Sequence, residues 1–334
     1  MTRIGIHGFG RIGRMALRIA LSNDLFTPVS ISDIRDLPTL AALFKVDTNY
    51  GVYPEPVRAD GSTLRVGNRS IEYIDSSKEL PDWAALGVEL VVDCTGRATT
   101  RAGAQAHLDR GANRVLVSAP SKTREDSDVF VLPGINMEAF DPAQHKIVSM
   151  ASCTTNALAP VVKVVMEQFG IVEGLFSTIH AYTNTQSLTD QPMKDRRDSW
   201  AAAENIIPSS SGAARALQFI WPGLQITGKA YRVPVSTGSI AELNLITEKP
   251  VTVEAANNAF REAASKKPLK GVMDVLEEEW ASSRIVGDYH SSIVDLPITQ
   301  VMGEHFLSVA AWYDNEWGYA NRMMDIAGKV AGML

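Results

Sequence analysis

Three glycines near the start leave the chain few ways to fold. Gly8-Phe9-Gly10-Arg11-Ile12-Gly13 reads G-x-G-x-x-G. An apolar run over residues 3–7 precedes it, and Ile12, Met15, Ala16 and Ile19 recur at helical spacing after it. Between a strand and a helix each glycine has a task. The first permits the tight turn, the second lets backbone approach a pyrophosphate, and the third allows the helix to pack closely on the strand. The helix start adds free N–H groups and a partial positive charge for that phosphate. Asp33 supplies the acid such a unit needs, 20 residues past Gly13 at the end of the next strand pattern. A carboxylate there accepts hydrogen bonds from ribose hydroxyls and repels a 2′-phosphate, so NAD is expected over NADP. Arg35 works against that preference, because a nearby arginine accommodates the extra phosphate. The bland reading, a glycine-rich turn that binds nothing, leaves strand, helix and acid in register for no reason.

The first third of the chain continues the alternation. Residues 29–32, 89–93 and Arg114–Val117 read as strands, 37–44 and 101–110 as helices, and 64–66 with 70–74 as a hairpin around Gly67-Asn68. This predicts an α/β Rossmann dinucleotide-binding domain with a parallel, doubly wound sheet. The pattern changes near residue 150. A helix is predicted over 154–169, followed by long strand patterns at 172–180, 229–235, 240–247 and 305–313, with one helix at 252–265. Few helices between strands predict an α+β catalytic domain with a mixed or antiparallel sheet. A last helix is predicted over 319–330. The expected division is residues 1–151 with the C-terminal helix 318–334 as one domain, and 152–317 as the other. A length of 334 residues suits two cores. The polar stretch between His180 and Ile206 has no clear period, and a loop that long is usually functional or part of an interface.

Composition removes other classes. Lys plus Arg is 32 and Asp plus Glu is 38, a net charge of −6, so a phosphate-neutralising nucleic-acid partner is not expected. No apolar run approaches the ~20 residues that span a bilayer, and no membrane partner is expected. The N-terminal residues enter a strand pattern without a signal-like apolar region. Two cysteines are too few for a disulfide scaffold. A cytoplasmic location is the expectation, and no metal site is expected.

One cysteine stands out. Ser152-Cys153-Thr154-Thr155-Asn156 opens the helix predicted at 154–169. A thiol there feels the helix dipole and unsatisfied N–H groups, which favour thiolate, the reactive form. His180 lies 27 residues on, at the end of the following strand pattern. Helix and returning strand can bring the two together, with His180 holding the thiolate and moving protons. Cys94, at the end of an apolar run, is read as a small buried hydrophobe. A dinucleotide site with an activated cysteine points to aldehyde oxidation through a thiohemiacetal and a thioester.

At this point the sequence resembles the glyceraldehyde-3-phosphate dehydrogenase family across essentially its full length. The resemblance rests on residues 5–14, on Ala151-Ser152-Cys153-Thr154-Thr155-Asn156, on 206–214, and on Trp312-Tyr313-Asp314-Asn315-Glu316-Trp317-Gly318-Tyr319. It implies that Cys153 is the nucleophile and His180 its partner. For the cofactor, NAD, it implies Gly8, Gly10, Arg11, Ile12, Gly13, Asp33, Ser118 and Tyr319, with Asn315 holding the nicotinamide amide and Lys78 where the family usually has an arginine near the adenine. Two anion sites are implied: Thr183 and Arg232 for the phosphate of a phosphorylated aldehyde, and Ser152, Thr154, Ser211, Gly212 and Arg197 for inorganic phosphate. Hydroxyls, backbone N–H groups and arginine forks suit phosphate oxygens. A homotetramer is also implied, with residues 181–205 resembling its interface loop.

The chain departs from the family pattern in several places. Ala157 replaces a second cysteine, Met150 an asparagine, Thr185 an acidic or small residue, and Gln191 a leucine. Trp200 stands where a second arginine is usual, and residues 235–239 depart from the usual strand. Trp200 bears on the acceptor, so an erythrose-4-phosphate dehydrogenase, or a relative passing its thioester to water or arsenate, is the alternative. A Cys/His hydrolase would leave the glycine fingerprint unused, and a catalytically silent binding protein would not need Cys153 and His180.

Overall fold

The computed structural model describes residues 1–332, and two compact units emerge. One comprises residues 1–132, 137–151 and 320 onward; the other comprises 133–136 and 152–319.

The first unit begins with β1 (Thr2–His7), α1 (Arg11–Leu21), β2 (Phe26–Asp33) and α2 (Leu37–Lys45). The small pair β3 (Val46–Asp47) and β4 (Gly51–Val52) follows, then β5 (Val57–Asp60), β6 (Thr63–Val66) and β7 (Arg69–Asp75). Beyond them come β8 (Leu90–Asp93), α3 (Arg101–Asp109), β9 (Arg114–Val117), β10 (Val129–Phe130) and β11 (Ile147–Ser149). Sheet order is β10-β11-β9-β8-β1-β2-β7-β6-β5. Every residue of β8 and β9 is buried, as parallel strands covered on both faces should be. Helix starts follow from local chemistry. Asp36 caps α2 by accepting from Thr39 N–H at 2.9 Å, with proline in the first turn, and Thr100 caps α3. The doubly wound expectation holds from β10 to β7. It fails at one edge, where the β6–β7 hairpin turns the chain back and β5 and β6 run antiparallel. A two-residue turn cannot make a parallel crossover.

The second unit opens with α4 (Cys153–Phe169) and β12 (Glu173–Ala181). It continues with β13 (Ile207–Ser210), α5 (Ala213–Ile220), β14 (Ile226–Val233), β15 (Ser239–Ile246) and α6 (Val253–Ser265). Strands β16 (Met273–Leu276), β17 (Ser292–Asp295), β18 (Gln300–Met302) and β19 (Phe306–Tyr313) complete it. The sheet runs β13-β14-β12-β15-β19-β17-β16, with β18 also on β19. It is mixed: β12–β14 and β16–β17 are parallel, the other pairs antiparallel. Ser239, Ala241, Leu243 and Leu245 of β15 are buried in strict alternation, and the residues between them are half-buried. Helix α5 was absent from the sequence expectation. Its eight residues give too few turns for a period, and they follow a serine run that reads as loop. Residues 182–206 form no strand or α-helix, only a short 3-10 turn at Arg197–Ser199. The last helix, α7 (Trp317–Ala331), returns to the first unit, where Gly328 approaches Leu25 and Phe26 at the start of β2. Among the described residues no helix is long and apolar enough to cross a membrane.

A polar knot lies inside the first unit. Trp83 Nε1 donates to His107 Nδ1 at 3.1 Å, so His107 carries its proton on Nε2 and donates to Asp93 at 3.1 Å. Beside them His7 Nδ1 meets Ser32 Oγ at 2.8 Å. Burial pushes His7 down to about 4, against the opposing pull of Asp93. Because this folded value lies below the unfolded one, the unfolded chain takes up the proton first as pH falls. Stability is therefore lost between about pH 6.5 and 4, by up to about 3 kcal/mol. His7→Asn is expected to flatten that part of the stability curve in urea titrations. Parallel curves for variant and parent over this range would remove His7 as the cause.

Candidate functional site

The glycine loop of the first unit is built as the sequence suggests. Gly8 has φ +88°, and a Cβ there would lie 2.7 Å from Thr95 N. At Gly13 a Cβ would strike Gly8 O. At Gly10 a Cβ would meet nothing within 4 Å, so the backbone of the loop lies open to a ligand. Helix α1 starts at Arg11 with Gly10 as its N-cap residue, so the partial positive charge of a helix start lies at the loop. Asp33, at the end of β2, accepts from Phe9 N–H at 2.7 Å and from Ile34 and Arg35 N–H at 2.7 and 3.0 Å. Its carboxylate is thus fixed against the loop. These features fit the pyrophosphate and ribose of a dinucleotide. The Arg11 guanidinium pairs with Asp47. Ser118 follows β9 with its N–H on Asp93 O at 2.9 Å, and Lys78 is exposed. His7, Asp93 and His107 also place three ligand-type atoms within 4.8 Å of one another. The proton on His107 Nε2 already serves Asp93, so these groups satisfy each other without an ion.

The second unit brings Cys153 and His180 together. Ala151 sits at φ +59°, an uncommon conformation for a residue with a side chain. The backbone turns there, and Ser152 then caps α4 by accepting from Thr155 N–H at 3.1 Å. Cys153 is the first residue of the helix. His180 is the last but one residue of β12, and its Nε2 lies 3.4 Å from Cys153 Sγ. Across β12 the parallel partner of His180 is Arg232 of β14. Arg232 Nη1 lies 2.6 Å from His180 Nδ1 and 3.2 Å from Ala181 O, while Nδ1 is also 2.7 Å from Ala181 O. The Arg232 Nε–H is buried and has no partner.

Burial and the helix start act on the Cys153 thiol in opposite senses. The helix start and Arg232 do favour the Cys153 thiolate, but burial outweighs them and pushes the thiol up. Burial first, then the Arg232 charge, holds His180 down to about 3. Desolvation thus opposes both the thiolate and the imidazolium.

Several supporting residues carried no role in the sequence reading. Tyr313 lies 5.8 Å from the His180 ring, edge on, and its hydroxyl joins Thr154 at 3.1 Å and Thr178 at 2.8 Å. Its signal was its place beside Asp314-Asn315. The Asn315 Oδ1 accepts from Gly238 N–H at 3.1 Å, Ser239 Oγ at 3.0 Å and Thr237 Oγ1 at 3.4 Å. This fixes which end of the amide is oxygen and leaves Nδ2 as the donor for a ligand. Ser239 Oγ also accepts from Ala181 N–H at 3.1 Å, so one buried hydroxyl ties the His180 strand end to Asn315. The unusual stretch at 235–239 thus contains the anchors of Asn315. Tyr319 lies in the first turn of α7 and is buried.

The anion-site residues fall into local groups. Thr183 N–H and Oγ1 meet Gln186 Oε1 at 2.9 and 3.1 Å, and Gln186 Nε2 reaches Asp198 at 3.0 Å. This ties the Thr183 turn to the one carrying Arg197, whose side chain is exposed. Trp200 follows, 55% exposed. Ser211 Oγ accepts from Ala213 N–H at 3.3 Å, beside Gly212 at the start of α5.

Comparison with known proteins covers both units. Residues 2–101 match the family model described as glyceraldehyde 3-phosphate dehydrogenase, NAD binding domain, and residues 152–315 match the one for the C-terminal domain. A glyceraldehyde-3-phosphate dehydrogenase of Kitasatospora aureofaciens is 46% identical over 331 residues, 97% of this chain and 98% of that protein. One of Priestia megaterium (strain DSM 319 / IMG 1521) is 44% identical over 335 residues, 99% and 98% of the two chains. Glyceraldehyde-3-phosphate dehydrogenase 1 of Bacillus subtilis (strain 168) is 42% identical over 335 residues, again 99% and 98%.

Ser239→Ala strips Ala181 N–H and Asn315 Oδ1 of a buried partner, which should cost about 1–3 kcal/mol in urea unfolding. A loss below ~0.5 kcal/mol, within surface-substitution range, would mean that the bridge carries no weight.

Proposed function

Because the chain belongs to the glyceraldehyde-3-phosphate dehydrogenase family, we infer that it oxidises glyceraldehyde 3-phosphate to 1,3-bisphosphoglycerate with NAD and inorganic phosphate. The observation that carries this reading is the 3.4 Å approach of Cys153 Sγ to His180 Nε2 at the start of α4. Cys153 is the nucleophile. As its sulfur bonds the aldehyde carbon, the thiol proton passes to His180 Nε2 and returns to the new alkoxide oxygen, giving a thiohemiacetal. The same Nε2 then takes the hydroxyl proton as hydride leaves the carbon, and a thioester remains on Cys153. NAD, when bound, supplies the acceptor for that hydride. The first-turn N–H groups of α1, with Gly8, Gly10, Arg11, Ile12 and Gly13, hold its pyrophosphate, and Asp33 its ribose. Lys78, Ser118 and Tyr319 would also bind the cofactor, and the Asn315 Nδ2 would donate to the nicotinamide amide.

Phosphate oxygens need N–H and O–H donors. The unpartnered Nε–H of Arg232 supports a substrate-phosphate site with Thr183. The start of α4 and the Ser211-Gly212 turn support an acceptor site of Ser152, Thr154, Ser211, Gly212 and Arg197, where inorganic phosphate attacks the thioester and releases the cysteine. A homotetramer fits the exposed Leu188 and Ile206 of the polar loop, 72% and 70% exposed. A cytoplasmic location accords with two unpaired cysteines.

The deciding assay is NADH formation from glyceraldehyde 3-phosphate with and without inorganic phosphate, beside erythrose 4-phosphate. Strong dependence on phosphate with the triose is expected. Turnover indifferent to phosphate, or faster with the tetrose, would assign the thioester to another acceptor. His180→Asn should slow the NADH burst by about 10²–10⁴-fold. A burst within a few-fold of the parent would take His180 out of the proton-transfer role.

A further inference from the structure

In the first sheet the order β9-β8-β1-β2 reverses at β1, so the crevice that suits a dinucleotide opens between the carboxyl ends of β1 and β8. His7 and Asp93 are register partners at those two ends. The β2 side of the crevice has Asp33 for a ribose. The β8 side has two loops, and both are tied to Asp93. Its backbone carbonyl accepts from Ser118 N–H at 2.9 Å. Its Oδ1 accepts from Thr95 N–H at 2.9 Å and from the Thr95 hydroxyl at 2.7 Å. Thr95 stands against the first glycine of the loop, since a Cβ on Gly8 would lie 2.8 Å from Thr95 Cγ2. Gly96 follows at φ +70°, where a Cβ would meet nothing within 4 Å.

Asp93 is itself held from behind. Trp83 Nε1–H can only donate, so His107 Nδ1 accepts and His107 Nε2–H goes to Asp93 Oδ2. Trp83, His107 and Asp93 are all buried, which keeps water from replacing these bonds. Burial opposes the charge on Asp93, and the hydrogen bonds from His107 and Thr95 outweigh it, holding the carboxyl below its usual range. On charge alone a carboxylate is a poor choice beneath a loop built for pyrophosphate. A neutral amide would repel the anion less, but it has one acceptor oxygen for three donors and would set its NH2 against one of them. The geometry of the donors accounts for an acid here.

We propose that Trp83, His107 and Asp93 are positioning residues that fix the β8 wall of the crevice, and that the half of the dinucleotide beyond the pyrophosphate depends on them. None of the three side chains has to reach the ligand. They act through Thr95, whose place beside Gly8 sets the width of the crevice. The adenylate half lies toward Asp33 and the start of α1 and does not depend on them. This proposal rests on the dinucleotide reading of the glycine loop, and its test separates the two.

Binding of NAD and of AMP is measured by calorimetry without aldehyde, in the parent, Asp93→Asn, Trp83→Phe and Thr95→Val. Asp93→Asn leaves a buried donor without an acceptor and should weaken NAD about tenfold, with AMP within about twofold of the parent. Trp83→Phe frees His107 to move its proton to Nδ1, and Thr95→Val removes one hook while keeping its shape against Gly8. Each should weaken NAD about threefold and spare AMP. Unchanged NAD binding, or equal losses for NAD and AMP, overturns the proposal, because the three residues then only stabilise the fold. If Asp93→Asn does not fold, as judged by circular dichroism, the two milder variants decide. Amide hydrogen exchange over residues 93–97 is followed in the same proteins without ligand. It should quicken in every variant, and unchanged exchange also overturns the proposal. Failure of the parent to bind NAD would sink the dinucleotide reading, while the exchange result would still decide whether these residues hold Thr95.

Discussion

Parallel pairing between β12 and β14 sets Arg232 directly across from His180, and much of the site depends on that register. A slip of one residue would turn Arg232 to the other face of the sheet and leave the histidine with its carbonyl alone. On the other side of β12, β15 brings Ser239 under Ala181 and next to Asn315. The histidine strand is thus the middle member of three, held to one neighbour by an arginine and to the other by a serine. The Tyr313 hydroxyl, bonded to Thr154 and Thr178, joins the start of α4 to the same strand. Cys153, His180, Arg232 and Asn315 come from four separate stretches of chain, yet they share one hydrogen-bonded frame.

Desolvation sets the resting chemistry of that frame. A helix start lowers a thiol in water-like surroundings, but here the sulfur is buried, and burial opposes both thiolate and imidazolium. His7 shows the same balance away from the site. It is a histidine kept neutral by burial beside a carboxylate, contributing stability only while the solvent is not acidic.

The sequence made some of this legible and concealed the rest for physical reasons. The glycine loop, Asp33, Cys153 and His180 announce themselves because their chemistry demands particular residue types at local spacings. The strands of both sheets follow from apolar runs, and α4 from its period. Helix α5 was invisible because eight residues hold barely two turns. The antiparallel edge was half legible: the Gly67-Asn68 turn was read as a hairpin, and its effect on sheet direction was not drawn. Ser239 could not be found from sequence alone, since its two partners lie 58 and 76 residues away. The opposing effect of burial on the Cys153 thiol was hidden for a similar reason. Helix position is written in sequence, and burial is a sum over the whole fold.

The first unit draws residues 1–132, 137–151 and 320 onward from chain that brackets the second. Helix α7 buries Ala320, Met323, Met324, Ile326 and Ala327 there. On the ribosome, therefore, the part made first is not the part completed first. The strands of the N-terminal unit emerge early and wait for α7 while some 170 residues of the other unit are made and can fold as one nearly continuous piece. At the ~5–20 residues per second of translation that interval is on the order of ten seconds or more, during which the first unit lacks its last helix. Chaperone dependence of this protein in the cell would then be a property of its chain order, not of its final stability.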